Sequence, residues 1–165
     1  MFTVEFNAEE ARGAIRKGLD ALTDMTPIFT EIGEYLVRST KQRFQQGVDP
    51  DGKDWAPKSE ATMERYRRMG YGNRPRPLIG PSGMLSSQIL TFPARESVTI
   101  GSNMKYAAVM QSGAAKGAFG SDTSGRPIPW GQIPARAWLG ISAEDETAIV
   151  EIVNENLAAT LDPGS

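Results

Sequence analysis

Residues 26–55 read TPIFTEIGEYLVRSTKQRFQQGVDPDGKDW, and the architecture of the chain turns on them. Thr26 is suited to cap a helix and Pro27 to occupy its first turn, while Ile28, Ile32, Tyr35, Leu36 and Phe44 recur at helical spacing until Gly47 stops it. One side of this helix is therefore expected to be buried. The other side, with Glu31, Glu34, Arg38, Lys41 and Arg43, is expected to face solvent or a polar interface. In Asp49-Pro50-Asp51-Gly52 the proline at the second place and the glycine at the fourth favour a type I turn, so the chain reverses there before Trp55.

Upstream, Phe2, Val4 and Phe6 alternate with polar residues like a short half-buried strand. Asn7 and Glu10 have the spacing of a capping box for a helix running to about Asp24, with Ala11, Ala14, Ile15, Leu19 and Leu22 as its apolar set. Gly13 and Gly18 each lower helix propensity by about 1 kcal/mol relative to alanine, so that helix needs close packing against a neighbour. Downstream, Ser59 caps a short basic helix reaching about Met69. Arg74-Pro75-Arg76-Pro77 must be extended, because a residue preceding proline is driven out of the α region. Gly80-Pro81-Ser82-Gly83 is a further turn. Ile89–Phe92 and Ser97–Ile100 read as two strands, with a helical turn as the alternative for part of Met84–Leu90. Tyr106–Gln111 is a short apolar helix ending at Gly113.

From Ser112 to Arg136 there are five glycines, three prolines and almost no apolar periodicity, the composition of a long flexible loop of the kind that is functional or disordered. Trp138 and Leu139 then return to the core. Ser142 caps a last, acidic helix with Ile149, Ile152, Val153, Leu157 and Leu161 on its apolar stripe, and Asp162–Ser165 should fray. The expectation is a single α+β domain over residues 1–165, with N-terminal helices and a C-terminal helix packed on a small, mostly antiparallel sheet.

The composition removes most chemistry. The 165 residues include no cysteine and no histidine, which excludes disulfides, thiolate nucleophiles, Cys/His zinc sites and every Ser-His or Cys-His mechanism. No apolar run approaches the roughly 20 residues that span a bilayer, and the opening MFTVEFNAEEARG lacks the basic and apolar regions of a secretory signal, so folding in the cytoplasm is expected. A net charge of −2 speaks against general nucleic-acid binding. Charge is nevertheless uneven: Lys53–Arg76 holds seven basic residues against three acidic, whereas the chain from Ser142 onward holds six acidic and no basic ones. Opposite patches suit head-to-tail contact between copies, although a solvated surface of mixed sign explains them more simply.

Two sites need testing against plainer readings. Asp49, Asp51 and Gly52 fit the third, fifth and sixth places of an EF-hand loop, but that register puts Gly47 first and Lys58 twelfth, where a bidentate carboxylate is required. No metal site is expected. A carboxylate-pair glycosidase is the one enzymatic reading that survives, with Asp49, Asp51, Asp54, Glu60 and Glu64 as candidates, and turn or surface roles account for all five. Gly80–Gly83 is not a nucleophile elbow, since its second glycine falls one place early and no base stands by to activate Ser82. Trp55 and Trp138 either anchor loops to the core or bury themselves in a partner, anchoring being the commoner outcome.

Four segments, read in order, resemble the phage virion morphogenesis family, tail completion proteins of the kind found in Mu-like phages. They are FQQGVDPDGKDW (44–55), PLIGPSGMLSSQI (77–89), VTIGSNMKYAAVMQSG (98–113) and IPARAWLGIS (133–142), the sharpest parts being Asp-Gly-x-x-Trp and Pro-Ala-Arg-x-Trp-Leu-Gly. The resemblance gives motif membership to Asp51, Gly52, Trp55, Leu78, Gly83, Leu85, Tyr106, Ala107, Gln111, Gly113, Pro134, Arg136 and Gly140. It transfers no catalytic role, and Met110 stands where such proteins often carry histidine. It implies an α+β subunit without cofactor, acting in the head-to-tail joining region as a symmetric ring of copies that meets tail and connector proteins, with passing contact to DNA conceivable and no membrane involved. Candidate contact residues are Arg65, Arg67, Arg68, Arg74 and Arg76 in the basic stretch and Lys116, Phe119, Arg126 and Trp130 in the long loop. The alternatives are a DNA-facing connector component and a virion-associated cell-wall hydrolase.

Overall fold

The computed structural model describes residues 8–161, so the expected strand at Phe2–Phe6, the Asn7 cap and the tail 162–165 lie outside the described residues. The elements are α1 (Ala8–Thr23), α2 (Thr26–Gln46), α3 (Glu60–Arg68), α4 (Met84–Ser87), β1 (Leu90–Pro93), β2 (Val98–Gly101), α5 (Ala107–Ser112) and α6 (Ala143–Leu161). Strands β1 and β2 form an antiparallel hairpin in the register Leu90↔Gly101 to Pro93↔Val98, closed by Ala94 N–H donating to Ser97 O at 2.8 Å. The fold is α+β, with the hairpin starting one residue later than the alternation suggests and a helical turn, α4, before it.

Helix α2 builds both halves of the core. Ile28, Ile32 and Leu36, one turn apart, pack with Val98 and Ile100 of the hairpin and with Ile149, Ile152 and Val153 of α6. Farther along, Phe44 packs with Trp55, Leu85, Ile89, Ala107 and Trp138, and its ring meets Trp55 edge-on at 5.3 Å and Trp138 at 5.9 Å. Both tryptophans anchor to the core. Between the two clusters Gly33 lies directly under β1, where a Cβ would collide with the Thr91 hydroxyl and touch Val98. The missing side chain lets the hairpin rest on the helix backbone. Gly47 ends α2 at φ 82°, its N–H donating to Arg43 O at 2.7 Å.

Three expectations change. Thr26 is the first helical residue rather than the cap: Asp24 Oδ1 accepts its N–H at 3.1 Å and its hydroxyl at 2.5 Å, and these bonds hold the Asp24 carboxyl below its ordinary range. In α1, Ile15, Leu19 and Leu22 are 62, 60 and 52% exposed. The helix instead approaches α6 with small residues, for Gly18 sits against Leu161, and Ala14 and Ala21 share its face by spacing and are half-buried. As part of the same change Leu161, expected in the buried stripe of α6, stays 48% exposed where it meets Gly18.

The third change is the largest. Arg43, expected on the polar face, is 5% exposed, and it donates to Asp145 Oδ2 at 2.8 Å, to Thr40 Oγ1 at 3.0 Å and to Gly140 O at 2.9 Å. Asp145, 1% exposed, also accepts the Ser39 hydroxyl at 2.5 Å and the Ser142 N–H at 2.9 Å, while Ser142 Oγ accepts the Asp145 N–H at 3.1 Å. Ser142 thus caps α6 as expected, in a reciprocal capping box whose acidic member is also the buried counter-ion of Arg43. Burial pushes the Asp145 carboxyl up, but the bonds from Ser39, Ser142 and Arg43 outweigh it and leave it below the ordinary carboxylate range.

Removing one partner leaves an uncompensated buried charge, so Arg43→Met or Asp145→Leu is expected to lower the unfolding free energy by about 3–5 kcal/mol, and the double variant to recover part of that, as read by urea unfolding. The pH dependence has a definite sign. A carboxyl held lower in the folded than in the unfolded chain adds stability that is full above the unfolded value of about 3.9 and is lost as pH falls below it. Thermal unfolding from pH 6 to pH 2.5 should show that acid loss in the natural chain and a shallower one in Asp145→Asn.

Candidate assembly surface

The four motif segments converge on one extended strap, Ile133–Gly140. Pro134 keeps its start extended, and Ala114 and Ile133 exchange two backbone hydrogen bonds of 2.9 and 2.8 Å. Farther on, Arg136 N–H donates to Met110 O at 2.8 Å, and its guanidinium donates to Ala56 O at 2.6 Å and Pro57 O at 2.8 Å. Trp55 Nε1 donates to Ala137 O at 2.9 Å, and Trp138 Nε1 to Ala107 O at 3.1 Å. Gln111 grips the strap from the other side: its carbonyl oxygen accepts the N–H groups of Trp138 and Leu139 at 2.9 and 3.0 Å, and its amide donates to Leu139 O at 2.9 Å. At the strap's end a Cβ on Gly140 would lie 2.7 Å from Pro50 Cγ, so the glycine admits the Asp49–Gly52 turn.

Most motif positions thereby have a folding role. Gly113, at φ 73°, has no room for a Cβ, which would sit 2.7 Å from both Ala135 N and Ile133 O. Leu85 and Ala107 are buried, Leu78 and Pro134 half-buried, and Gly83 supplies a left-handed residue before α4. Asp51 and Gly52 are exposed; the turn is tied by Asp49, whose Oδ1 accepts the N–H of Asp51 at 3.0 Å and of Lys53 at 2.8 Å. The same device recurs where Asp122 Oδ1 accepts the N–H of Ser124 and Arg126 at 2.8 and 2.9 Å. The shared spacing Asp-x-x-Gly-Lys/Arg at 49–53 and 122–126 was the signal for both turns. Of the carboxylates weighed for catalysis, Asp49 is absorbed by its turn and Glu60 pairs with Arg67, while Asp51, Asp54 and Glu64 stand exposed.

Among the described residues, two surfaces carry the candidate contact residues. One is a groove of about 580 Å³ between α3 and α5, walled by Tyr66, Leu78, Met84, Tyr106 and Met110 with Lys58 and Arg136 at its polar side. Lys58 Nζ donates to Arg74 O and Ile79 O, each at 2.6 Å, and lies 5.0 Å from the centre of the Tyr66 ring. Burial first, then the charges of Arg74 and Arg136, hold the Lys58 ammonium below its ordinary range. Arg65, Arg67, Arg68, Arg74 and Arg76 are all exposed nearby, Arg74 Nε donating to Tyr71 O at 3.0 Å.

The other is the segment expected as a flexible loop. It contains no helix or strand, yet its arms are bonded across: Gly117 N–H to Pro129 O at 3.0 Å, Phe119 N–H to Ile128 O at 2.7 Å and Asp122 N–H to Arg126 O at 2.8 Å. On this hairpin-like frame Phe119 is 56% and Trp130 67% exposed, with the Arg126 guanidinium 5.9 Å from the Trp130 ring and Lys116 exposed beside them. The structure brings Phe119, Arg126, Trp130 and Lys116 onto one projection, and the five arginines onto α3 and the segment after it.

Arg136→Met is expected to lower the unfolding free energy by about 2 kcal/mol, because two carbonyls lose charge-assisted bonds. Arg136→Lys, which can still reach one of them, should lose less, as measured by chemical denaturation.

Among the described residues no three of His, Cys, Asp and Glu lie close enough to hold a metal ion. No curated protein and no solved structure matches the chain. A family model does, over residues 6–158, and it spans the α2 turn, the strap and the hairpin just described. The chain belongs to the phage virion morphogenesis family.

Proposed function

We propose that this virion morphogenesis protein completes the phage tail and joins it to the head, acting by contact and not by catalysis. The observation that carries this reading is the hydrogen-bonded hairpin presenting Phe119 and Trp130 to solvent on a chain of this family. Large aromatic and arginine side chains held on a bonded frame lose little conformational freedom on docking, which is why such residues dominate interface energetics. The motif residues support the reading from the other direction, since the strap's contacts account for most of them without a substrate. Its partners are further copies of itself in a ring, together with tail and connector proteins. It works in the host cytoplasm during assembly and then resides in the particle. No helix of the described residues is long and apolar enough to cross a membrane.

The exposed arginines of α3 favour a second reading, a connector component that faces the packaged DNA. Electron microscopy of particles made without the chain is expected to show unjoined or unfinished tails; complete particles would refute the assembly role. Phe119→Ser with Trp130→Ser should leave the unfolding midpoint within experimental error, both side chains being exposed, and should reduce joined particles at least tenfold.

A further inference from the structure

Within this assembly reading, we infer that the basic face of α3 on one copy docks against the acidic outer face of α6 on the next copy. Helix α3 has nine residues and buries none of them. So short a helix is marginal in water by itself, and here its own chain supports it through the Ser59 cap, the Lys58 clamp and the half-buried Tyr66. Arg65 and Arg68, one turn apart, project outward and form no ion pair among the described residues, and exposed Met69 and Tyr71, at 49 and 41%, follow them. Arg76 continues the charge beyond α3.

Helix α6 carries the complement. Glu144, Glu151 and Glu155 lie on one exposed face, and α6 has no basic residue to neutralise them. At 1.5 Å per residue the acidic row from Glu144 to Glu155 runs about 16 Å, and Arg65 and Arg68 in the last turn of α3, with Arg74 and Arg76 beyond it, supply the opposite charge. The basic side also carries exposed apolar surface, Met69 and Tyr71, next to its charges. Different faces that complement each other give a heterologous contact, which closes into a ring or propagates. An acidic protein face is favoured over DNA as the occupant because the chain itself carries the matching surface, while its net charge of −2 attracts no polyanion as a whole.

The test uses the full chain in sedimentation equilibrium at low salt, with Arg65→Glu/Arg68→Glu and Glu151→Arg/Glu155→Arg, all at exposed positions. Each variant alone is expected to self-associate at least tenfold more weakly than the natural chain. Mixed in equal amounts, the two should recover association with the variants alternating, because the natural face left on each matches the other's and the two reversed faces match as well. Added salt should weaken the natural contact. Self-association unchanged by either reversal, or no recovery on mixing, overturns the contact while the assembly role stands. So does a basic-face reversal that abolishes only binding to a DNA duplex. The assembly role itself falls only if particles lacking the chain are complete.

Discussion

Arg43 and Asp145 stand 102 residues apart in the chain and 2.8 Å apart in the fold. An ion pair taken this far from water contributes little net stability, because desolvating two charges offsets their attraction; its force lies in what happens when the geometry is wrong. Asp145 reaches Arg43 only when α6 begins at Ser142, and Arg43 reaches Gly140 only when the strap ends where it does. The pair therefore sets the register of α6 on α2. With α6 so placed, Ile149, Ile152 and Val153 meet Ile28, Ile32 and Leu36, and α1 can close over α6 through Gly18.

The strap extends the same logic to the other half of the core. Its backbone has no strand partner of its own along Ala135–Gly140, and an extended segment packed against a core must still satisfy its N–H and C=O groups. Side chains do this: Gln111 serves Trp138 and Leu139, Trp55 serves Ala137, and Arg43 serves Gly140. Each of these partners comes from a different part of the chain, so the motifs that look scattered in sequence are the parts of one clamp.

The exposed surface carries a hydrogen-bonded aromatic projection and two faces of opposite charge. The projection owes its order to turn chemistry, the Asp122 carboxylate replacing strand hydrogen bonds at its tip. The charged faces sit on α3, which buries none of its residues, and on α6, which Ser142 and Asp145 cap. Such an arrangement leaves folding to the core and specificity to the periphery, as electrostatic complementarity governs orientation and encounter more than affinity.

Much of the fold could be read directly. The Phe44 and Ile28-Ile32-Leu36 spacing marked the buried face of α2, Gly47 its end, the prolines and glycines at 50–52 and 80–83 the turns, and Ser59 and Ser142 the later caps. These features obey rules of periodicity and capping that act over a few residues. The resemblance motifs likewise pointed to the family. What local rules could not supply was the fate of side chains decided by distant partners. Arg43 looked like a solvent residue because its counter-ion lies on another helix; Ile15 and Leu19 looked like core because nothing local says that α1 turns its glycine toward α6. Sequence alone determined which segments were helix, hairpin and turn. Tertiary structure alone decided which charges are buried and which apolar faces stay open, since burial depends on neighbours that the chain brings together only after it has folded.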